Sequence, residues 1–489
     1  MTDNRLQGSV RRILPLAWPV FVGQVAVLGF GTVDTVLVAR HSPTDLAALA
    51  VGGATYITIL IGLMGVVLAV SPIVGQLFGA RRLREAGHQA WQALWLAAAL
   101  ALVGCLLLSF PEPFLALSQA SPAVADKTRG YLQALAVALP ASLLFTVYRG
   151  FNVAVSRPKA VMALQIGGLV LKVPLSLALV SGVPALGIPA LGVVGCGIAT
   201  ALAMWVQALL ALWLMWRDPF YQRFELMAPG QRAPHGKSLR ALLKLGLPMG
   251  LGIAVEVTGF AFMAIFISRL GETAVAGHQI AANLVSLLFM MPLGLSNATS
   301  TLVAQRIGAG DIGDARRLGW HGLQFTLGVA LVVGGLVYFG RLQVLQLYTD
   351  NAAVLAAALP LLAWVALFHS ADAVQALAAF VLRAWRIATL PTVIYVGALR
   401  GVGLGGGYAL AFNAGGGVPT ALQGALGFWI ASTAGLTVAA TALAALLAWV
   451  LAQQRGTGAV NQPVAAAPGG SAASGSAAGG PAAGGPAAG

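Results

Sequence analysis

LGLPMGLGIAVEVTGFAFMAIFISRLG, residues 245–271, is the stretch that decides how this chain folds. At about 1.5 Å per residue, a helix of this length crosses a lipid hydrocarbon core of about 30 Å. Its one acidic residue, Glu256, lies near the middle and therefore near the centre of a bilayer. An ionised carboxylate at that depth costs roughly 3 kcal/mol even on insertion-based scales. Glu256 is therefore predicted to be a functional residue.

The composition extends the membrane prediction to the whole chain. Of its 489 residues, 58% are hydrophobic and only 9% are charged, against about 25% charged in soluble domains. The net charge of +14 is spread in short basic groups between apolar segments and does not form one patch. A lipid bilayer is therefore the expected surrounding, and no nucleic-acid partner is expected. Cys105 and Cys196 both lie in apolar segments, so neither a disulfide nor a zinc site is predicted.

Twelve apolar segments of at least about 18 residues predict an all-α membrane protein with twelve transmembrane helices. They begin near residues 13, 46, 88, 130, 160, 192, 239, 273, 318, 353, 388 and 421. An even number of spans places both termini on one side of the membrane. That side receives 21 of the 28 Lys and Arg residues, among them Arg149 and Arg383, and the other side receives 5. The positive-inside rule then predicts a multi-pass protein of the cell inner membrane with both termini in the cytoplasm.

The two halves of the chain repeat at an offset of 229 residues. VGQLFGA at 74–80 corresponds to VAQRIGAG at 303–310, and each follows the same span of its half. The matched residues are Pro19 with Pro248, Arg40 with Arg269, Gly65 with Gly294, Ser71 with Ser300, Gln76 with Gln305, Gly79 with Gly308, Trp91 with Trp320 and Arg157 with Arg386. Because six spans return the chain to its starting side, the pattern predicts two parallel six-helix repeats.

The repeat divides the chain into four predicted segments. Residues 1–216 form an N-terminal six-helix lobe and residues 239–455 a C-terminal six-helix lobe. Residues 217–238, rich in Pro and Gly, form the cytoplasmic linker between the lobes. Residues 456–489 contain almost only Gly, Ala, Ser and Pro and are predicted to be a disordered tail.

Five charged residues lie inside the predicted spans: Asp34, Glu256 and Asp372 are acidic, and Lys172 and Arg400 are basic. One interpretation is that these charges form internal ion pairs, in which Lys172 and Arg400 compensate the acids. It fits a pair of Asp34 with Lys172. It cannot neutralise all five, because three acids and two bases leave one negative charge in excess. A carboxylate without a partner is suited to exchange a proton, a sodium ion or a cationic substrate.

Other side chains share helix faces with these acids. Phe368, Asp372 and Gln375 fall at i, i+4 and i+7 of the tenth span. Gln279 and Asn283 fall together on the eighth span, where interhelical hydrogen bonding is the commoner role of an amide. Phe260, Met263, Met290 and Met291 could line an adaptable apolar cavity, although packing is the commoner role of each.

The twelve spans and two segments resemble the MATE multidrug and toxin extrusion transporters over about residues 10–452. The segments are VDTVLVARHSPTDLAALAVGG at 33–53 and GHQIAANLVSLLFMMPLGLSNATSTLVAQRIGAGD at 277–311. The two acids of the second half make the chain similar to the NorM branch. This resemblance implies that Glu256 and Asp372 bind the coupling cation, and that Asp34 is the acid of the N-terminal lobe. It also implies that Gln279 and Phe260 lie near the substrate cavity and that Asp350 lies in the loop that caps it.

The chain departs from that family at two places. Phe368 stands where the family often has Tyr, which removes an oxygen ligand for sodium and favours the proton. Lys172 and Ser176 replace the usual pair of Asn side chains in the fifth span, although Thr200 is retained. We infer that the ammonium group of Lys172 stands in for a bound ion and pairs permanently with Asp34.

These observations predict an antiporter, coupled to protons or sodium, that exports cationic amphipathic drugs by alternating access. A sodium ion, if used, would bind at Glu256 and Asp372; no other metal or cofactor is expected, and a monomer suffices. The main alternative is a flippase for a lipid-linked saccharide, which would need several cations facing the cavity. A channel suits a two-lobe repeat less well. An enzyme is not indicated, because the six His residues form no cluster and no nucleophile or metal-ligand motif is present.

Overall fold

The computed structural model describes residues 6–118, 121–187 and 189–453. Within these residues there are twelve helices long and apolar enough to cross a membrane, and no β-strand. Numbered in chain order, they are α1 Leu6–His41, α2 Pro43–Gly79, α3 Leu83–Ser109, α4 Pro122–Ala154, α5 Pro158–Ser181, α6 Gly192–Arg217, α7 Gly236–Ser268, α8 Glu272–Gly308, α9 Ile312–Phe339, α10 Ala352–Ala384, α11 Thr389–Ala411 and α12 Ala425–Gln453. The predicted all-α fold with twelve spans is confirmed.

Local sequence explains where several helices begin or change shape. The side chain of Ser42 accepts a hydrogen bond from the Asp45 backbone at the start of α2, and Asn351 caps α10 in the same way. α2 is interrupted after Val67, where the last ten residues form a separate helix. In α11 the Gly-rich segment Val396–Gly405 adopts wider π-helical turns, which the missing side chains of its glycines permit.

The connection between the halves lies against α3. Trp91, Gln92 and Trp95 donate hydrogen bonds to the carbonyl oxygens of Leu226, Ala233 and Arg232, over 2.7–2.8 Å. α7 begins at Gly236, three residues earlier than predicted. The connection is therefore anchored to the first half. The proposed division at residues 216 and 239 remains a prediction, and the tail at 456–489 lies outside the described residues.

The two halves meet at the side of the bundle that holds this connection, which we call the linker side. Gln76 donates a hydrogen bond to the carbonyl of Ala384 over 2.8 Å, and its repeat partner Gln305 donates to the carbonyl of Ala154 over 2.7 Å. Arg12 forms an ion pair with Asp314 over 2.8 Å. The contacts of Ser9 with His321 and of Gln89 with Ser238 lie on this side as well.

The repeat is visible in these contacts, with one shift in register. The turn after α4 and the turn after α10 contain equivalent left-handed residues, Ser156 at φ 62° and Arg386 at φ 60°. Their offset is 230, whereas Gln76 and Gln305 are 229 apart. The predicted match of Arg157 with Arg386 is therefore wrong by one residue, because one extra residue lies between Gln305 and Arg386.

Candidate functional site

The site is built around Glu256, on the face of α7 that points into the bundle. The NH2 group of Gln375 lies 3.4 Å from Oε1 of Glu256 and 2.9 Å from Oδ1 of Asp372. The hydroxyl of Tyr395 on α11 donates to the other end of the same amide, Oε1 of Gln375. The amide is thereby held with its hydrogens toward the acids. Two carboxylates from different helices are brought within reach of one donor group.

Two carboxylates this close repel each other when both are ionised. Asp372 is only 4% exposed, so water cannot screen the interaction well. A proton or a small cation between them removes the repulsion. The oxygens of Glu256 and Asp372 are hard donors of the kind that sodium prefers, but Phe368 offers no oxygen. Within the described residues no group of three or more His, Cys, Asp or Glu side chains could hold a metal ion.

Glu256 faces a cavity of about 180 Å³ between the two halves. Helices of both halves contribute its polar wall, which consists of Gln24, Ser71, Arg149, Gln165, Glu256, Asn297, Gln375, Arg383 and Tyr395. Arg383 is 8% exposed and close enough to Glu256 to interact with it electrostatically. The described wall therefore carries two arginines and one carboxylate.

A second, smaller cavity of about 40 Å³ lies on the other side of Glu256. Phe260 and Phe368 line it, with ring centroids 5.8 Å apart in an edge-to-face arrangement, and Met263 lies beside them. Phe260 and Met263, two of the predicted apolar cavity residues, therefore line the same cavity as Glu256. Because these rings and Glu256 line the same cavity, an amphipathic ligand there would meet an apolar surface and a carboxylate together.

In the first half, Asp34 and Lys172 form a buried ion pair. The ammonium nitrogen of Lys172 lies 2.7 Å from Oδ2 of Asp34 and 2.6 Å from the hydroxyl of Thr200, and 4.8 Å from the ring centroid of Phe30. Lys172 is 1% exposed and Asp34 is 5% exposed. A carboxylate, a hydroxyl and an aromatic face surround the ammonium group as they would surround a bound cation.

Arg400 does not pair with a membrane acid, contrary to its predicted charge-compensating role. Its guanidinium donates to Thr258 and lies 5.2 Å from the ring centroid of Phe262. No described acid lies within 4.0 Å of it. Thr258 and Phe262 share a face of α7 that is turned away from Glu256, since residues two apart lie about 200° around a helix. Arg400 therefore lies against the face of α7 opposite Glu256 and does not compensate its charge.

Four residues assigned to a substrate cavity lie outside the two cavities described above, and their assignment stays a prediction. Gln279 is exposed, and the exposed Asn283 accepts a hydrogen bond from Tyr348 over 3.0 Å. Met290 is buried in packing and Asp350 is exposed in the connection before α10. None of the four lines either described cavity. The first two lie on the half of α8 away from the linker side, where the described contacts leave the two halves apart.

Arg149, Arg383 and Tyr395 were missed by sequence reasoning as site residues. The two arginines were counted with the basic connections, because each lies within five residues of a helix end. Their side chains instead turn into the cavity. The sequence did offer one signal for them: both arginines lie inside an apolar span, where a charged residue is a candidate functional residue, as it is for Glu256. Tyr395 offered no signal, since a lone tyrosine in an apolar helix is ordinary.

Comparison with known proteins agrees with this architecture. The MatE family model matches residues 19–178 and 248–409, one match in each half. A probable multidrug resistance protein NorM of Aromatoleum aromaticum is 41% identical over 90% of this chain and 93% of its own length. The multidrug resistance protein PmpM of Pseudomonas aeruginosa is 35% identical over 91% of this chain and 92% of its own. The crystal structure of the eukaryotic MATE transporter AtDTX14 superposes with a TM-score of 0.81 at 19% identity, over 92% of this chain and 99% of that one.

Proposed function

This chain belongs to the MatE family of transporters, and on that premise we propose that it exports cationic amphipathic compounds in exchange for a proton or a sodium ion. The relatives named as multidrug resistance proteins support this class of substrate. As a multi-pass membrane protein it would act in the cell inner membrane with both termini in the cytoplasm, where the basic connections favour them. No covalent bond changes in this process, and a single copy of the chain is sufficient.

The observation that carries the proposal is the cluster of Glu256, Gln375 and Asp372 at the edge of a cavity between the halves. A cation or proton that binds the two acids removes the charge that would hold a cationic substrate. Substrate and coupling ion therefore compete for Glu256. Competition at one site couples the two movements when the protein changes its open side only with one of the ligands bound.

The packing of the halves supports an alternating-access mechanism. The described polar contacts between the halves close the linker side, which supports our assignment of this arrangement as the one open to the opposite side of the membrane. A coupling ion can stabilise it only by binding it more tightly than the arrangement open to the linker side. The change from one arrangement to the other would break the contacts that Gln76 and Gln305 make across the halves.

The direct test uses purified protein in liposomes loaded with ethidium. Imposed proton and sodium gradients are compared in separate samples, with a proton ionophore and a sodium ionophore as controls. We expect concentrative ethidium transport with at least one gradient, abolished by the matching ionophore. Absence of transport with both gradients, in correctly inserted protein, would contradict the proposed exchange.

A further prediction concerns Gly79 and Gly308, which allow the halves to touch on the linker side. A Cβ atom at Gly308 would overlap the carbonyl oxygen of Gln76, and one at Gly79 that of Gln305. Gly308→Leu is therefore expected to hold the linker side open and to reduce ethidium transport about tenfold or more. With Cys105 and Cys196 replaced by alanine, a single cysteine at Asn297, which lines the cavity, should react about tenfold faster with a membrane-impermeant maleimide added from the linker side.

The matched control is Gly313→Leu, because a Cβ atom at this exposed glycine has no neighbour closer than 3.8 Å. It should leave both transport and labelling as they are in the parent protein. Normal transport by Gly308→Leu would show that close approach of the two helix ends is not part of the cycle.

The two arginines in the cavity wall favour one second candidate, a flippase for a lipid with a phosphate headgroup. Arg149 and Arg383 outnumber the carboxylate of Glu256, and paired cations bind phosphate well. Liposomes with a fluorescent phospholipid, bleached from outside with dithionite, test this candidate. Protein-dependent loss of the protected inner fraction, without ethidium transport, would favour the flippase.

A further inference from the structure

The cavity between the halves has a wall from the first half that offers mainly hydrogen-bond donors. Arg149 on α4 donates to Oε1 of Gln24 over 3.3 Å, and Gln165 donates to the same oxygen over 3.4 Å. Because its oxygen accepts both bonds, the NH2 group of Gln24 remains as a donor. The guanidinium of Arg149 has further N–H groups in addition to the one bonded to Gln24.

Arg149 carries a charge that nothing in the described part of the chain balances. No described carboxylate lies within 4.0 Å of it. Arg383, the other arginine in the cavity, interacts electrostatically with Glu256 and stacks on the ring of Phe380 at 4.5 Å. Glu256 is on the wall of the second half, whereas Arg149 is on the wall of the first half. The cavity thus has an acid on one wall and an unbalanced cation on the other.

We propose that Arg149 and the NH2 group of Gln24 form a subsite for an anionic group of the substrate, a carboxylate in the first instance. A zwitterionic compound would place its cationic part toward Glu256 and its carboxylate toward Arg149. The inference rests on the proposed export function and adds to it a residue that selects among substrates. Charge-assisted hydrogen bonds from a guanidinium to a carboxylate provide the selectivity.

The test uses two dyes that differ only in the charge of one group. Rhodamine 110 carries a free carboxylate, and rhodamine 123 is its methyl ester and purely cationic. Transport of each dye is measured in liposomes, and binding of each is measured by fluorescence anisotropy in detergent. We expect Arg149→Gln to weaken binding and transport of rhodamine 110 about tenfold, as the loss of one charge-assisted hydrogen bond would, and those of rhodamine 123 less than twofold.

Two further variants separate recognition from structure. Arg149→Lys keeps the charge and should retain part of the rhodamine 110 binding. Arg400→Gln removes another arginine within a span, one that lines neither cavity, and should affect neither dye. An equal loss of both dyes in Arg149→Gln would assign Arg149 a structural role and overturn the subsite. Transport of rhodamine 123 alone by the parent protein would also overturn it, as would transport of neither dye while ethidium is transported. Absence of ethidium transport as well would overturn the export function itself.

Discussion

Glu256→Gln is expected to abolish concentrative efflux, lowering gradient-driven ethidium transport by on the order of a hundredfold. The amide cannot take up or release a proton and binds sodium weakly, so the site no longer alternates between ion and substrate. Its similar shape preserves the contact with Gln375 on α10. The protein should therefore fold normally. Ethidium exchange down a drug gradient needs no coupling ion and should persist, at a rate lowered by the loss of the carboxylate that binds the cationic dye.

The measurement compares gradient-driven transport with ethidium counterflow in the same liposomes. Asp372→Asn should behave in the same way, because Asp372 shares the donor group of Gln375. Glu272→Gln is the matched control: this exposed acid lies in the first turn of α8, away from the cluster. If Glu256→Gln kept more than half of the concentrative rate, the carboxylate would not be the coupling group.

Lys172→Ala is expected to cause the largest loss of stability. It leaves the carboxylate of Asp34 buried without its partner, and breaking a buried pair in this way costs about 3–5 kcal/mol. For a unit of about 200 residues this corresponds to a fall in Tm of roughly 6–20 °C. Oδ2 of Asp34 and the hydroxyl of Thr200, which hold the ammonium nitrogen at 2.7 and 2.6 Å, would then border a space of at least ammonium size.

The proposal that the ammonium group replaces a bound ion gives this variant a second, sharper outcome. Sodium, but not choline, should restore part of the lost Tm of Lys172→Ala, because the oxygens left behind suit a small cation. The parent protein should show no such difference. Asp34→Asn combined with Lys172→Met should regain most of the stability, since no buried charge remains. Unchanged Tm and transport, with no new sodium dependence, would contradict the proposal.

The sequence by itself determined the architecture and the acids. Span number and repeat follow from local properties: an apolar run is long enough to cross a bilayer or it is not, and VGQLFGA is visibly related to VAQRIGAG. Glu256 and Asp372 could be chosen as candidates because a charge within such a run has a high cost wherever the helix packs. The same argument pointed to Asp34 and Lys172, which the structure places 2.7 Å apart.

Only the tertiary structure decided which way the remaining side chains point. Arg400 and Lys172 occupy nearly equivalent places in the repeat, yet Lys172 turns inward to Asp34 and Arg400 turns toward Thr258. From the sequence, Arg149 and Arg383 are assigned to the basic ends of their spans, but in the structure both line the cavity. The direction of a side chain depends on the rotation of its helix and on its neighbours, and these are set by contacts among helices distant in sequence. A charge in an apolar run shows that a partner is needed, and the packing decides which partner it finds.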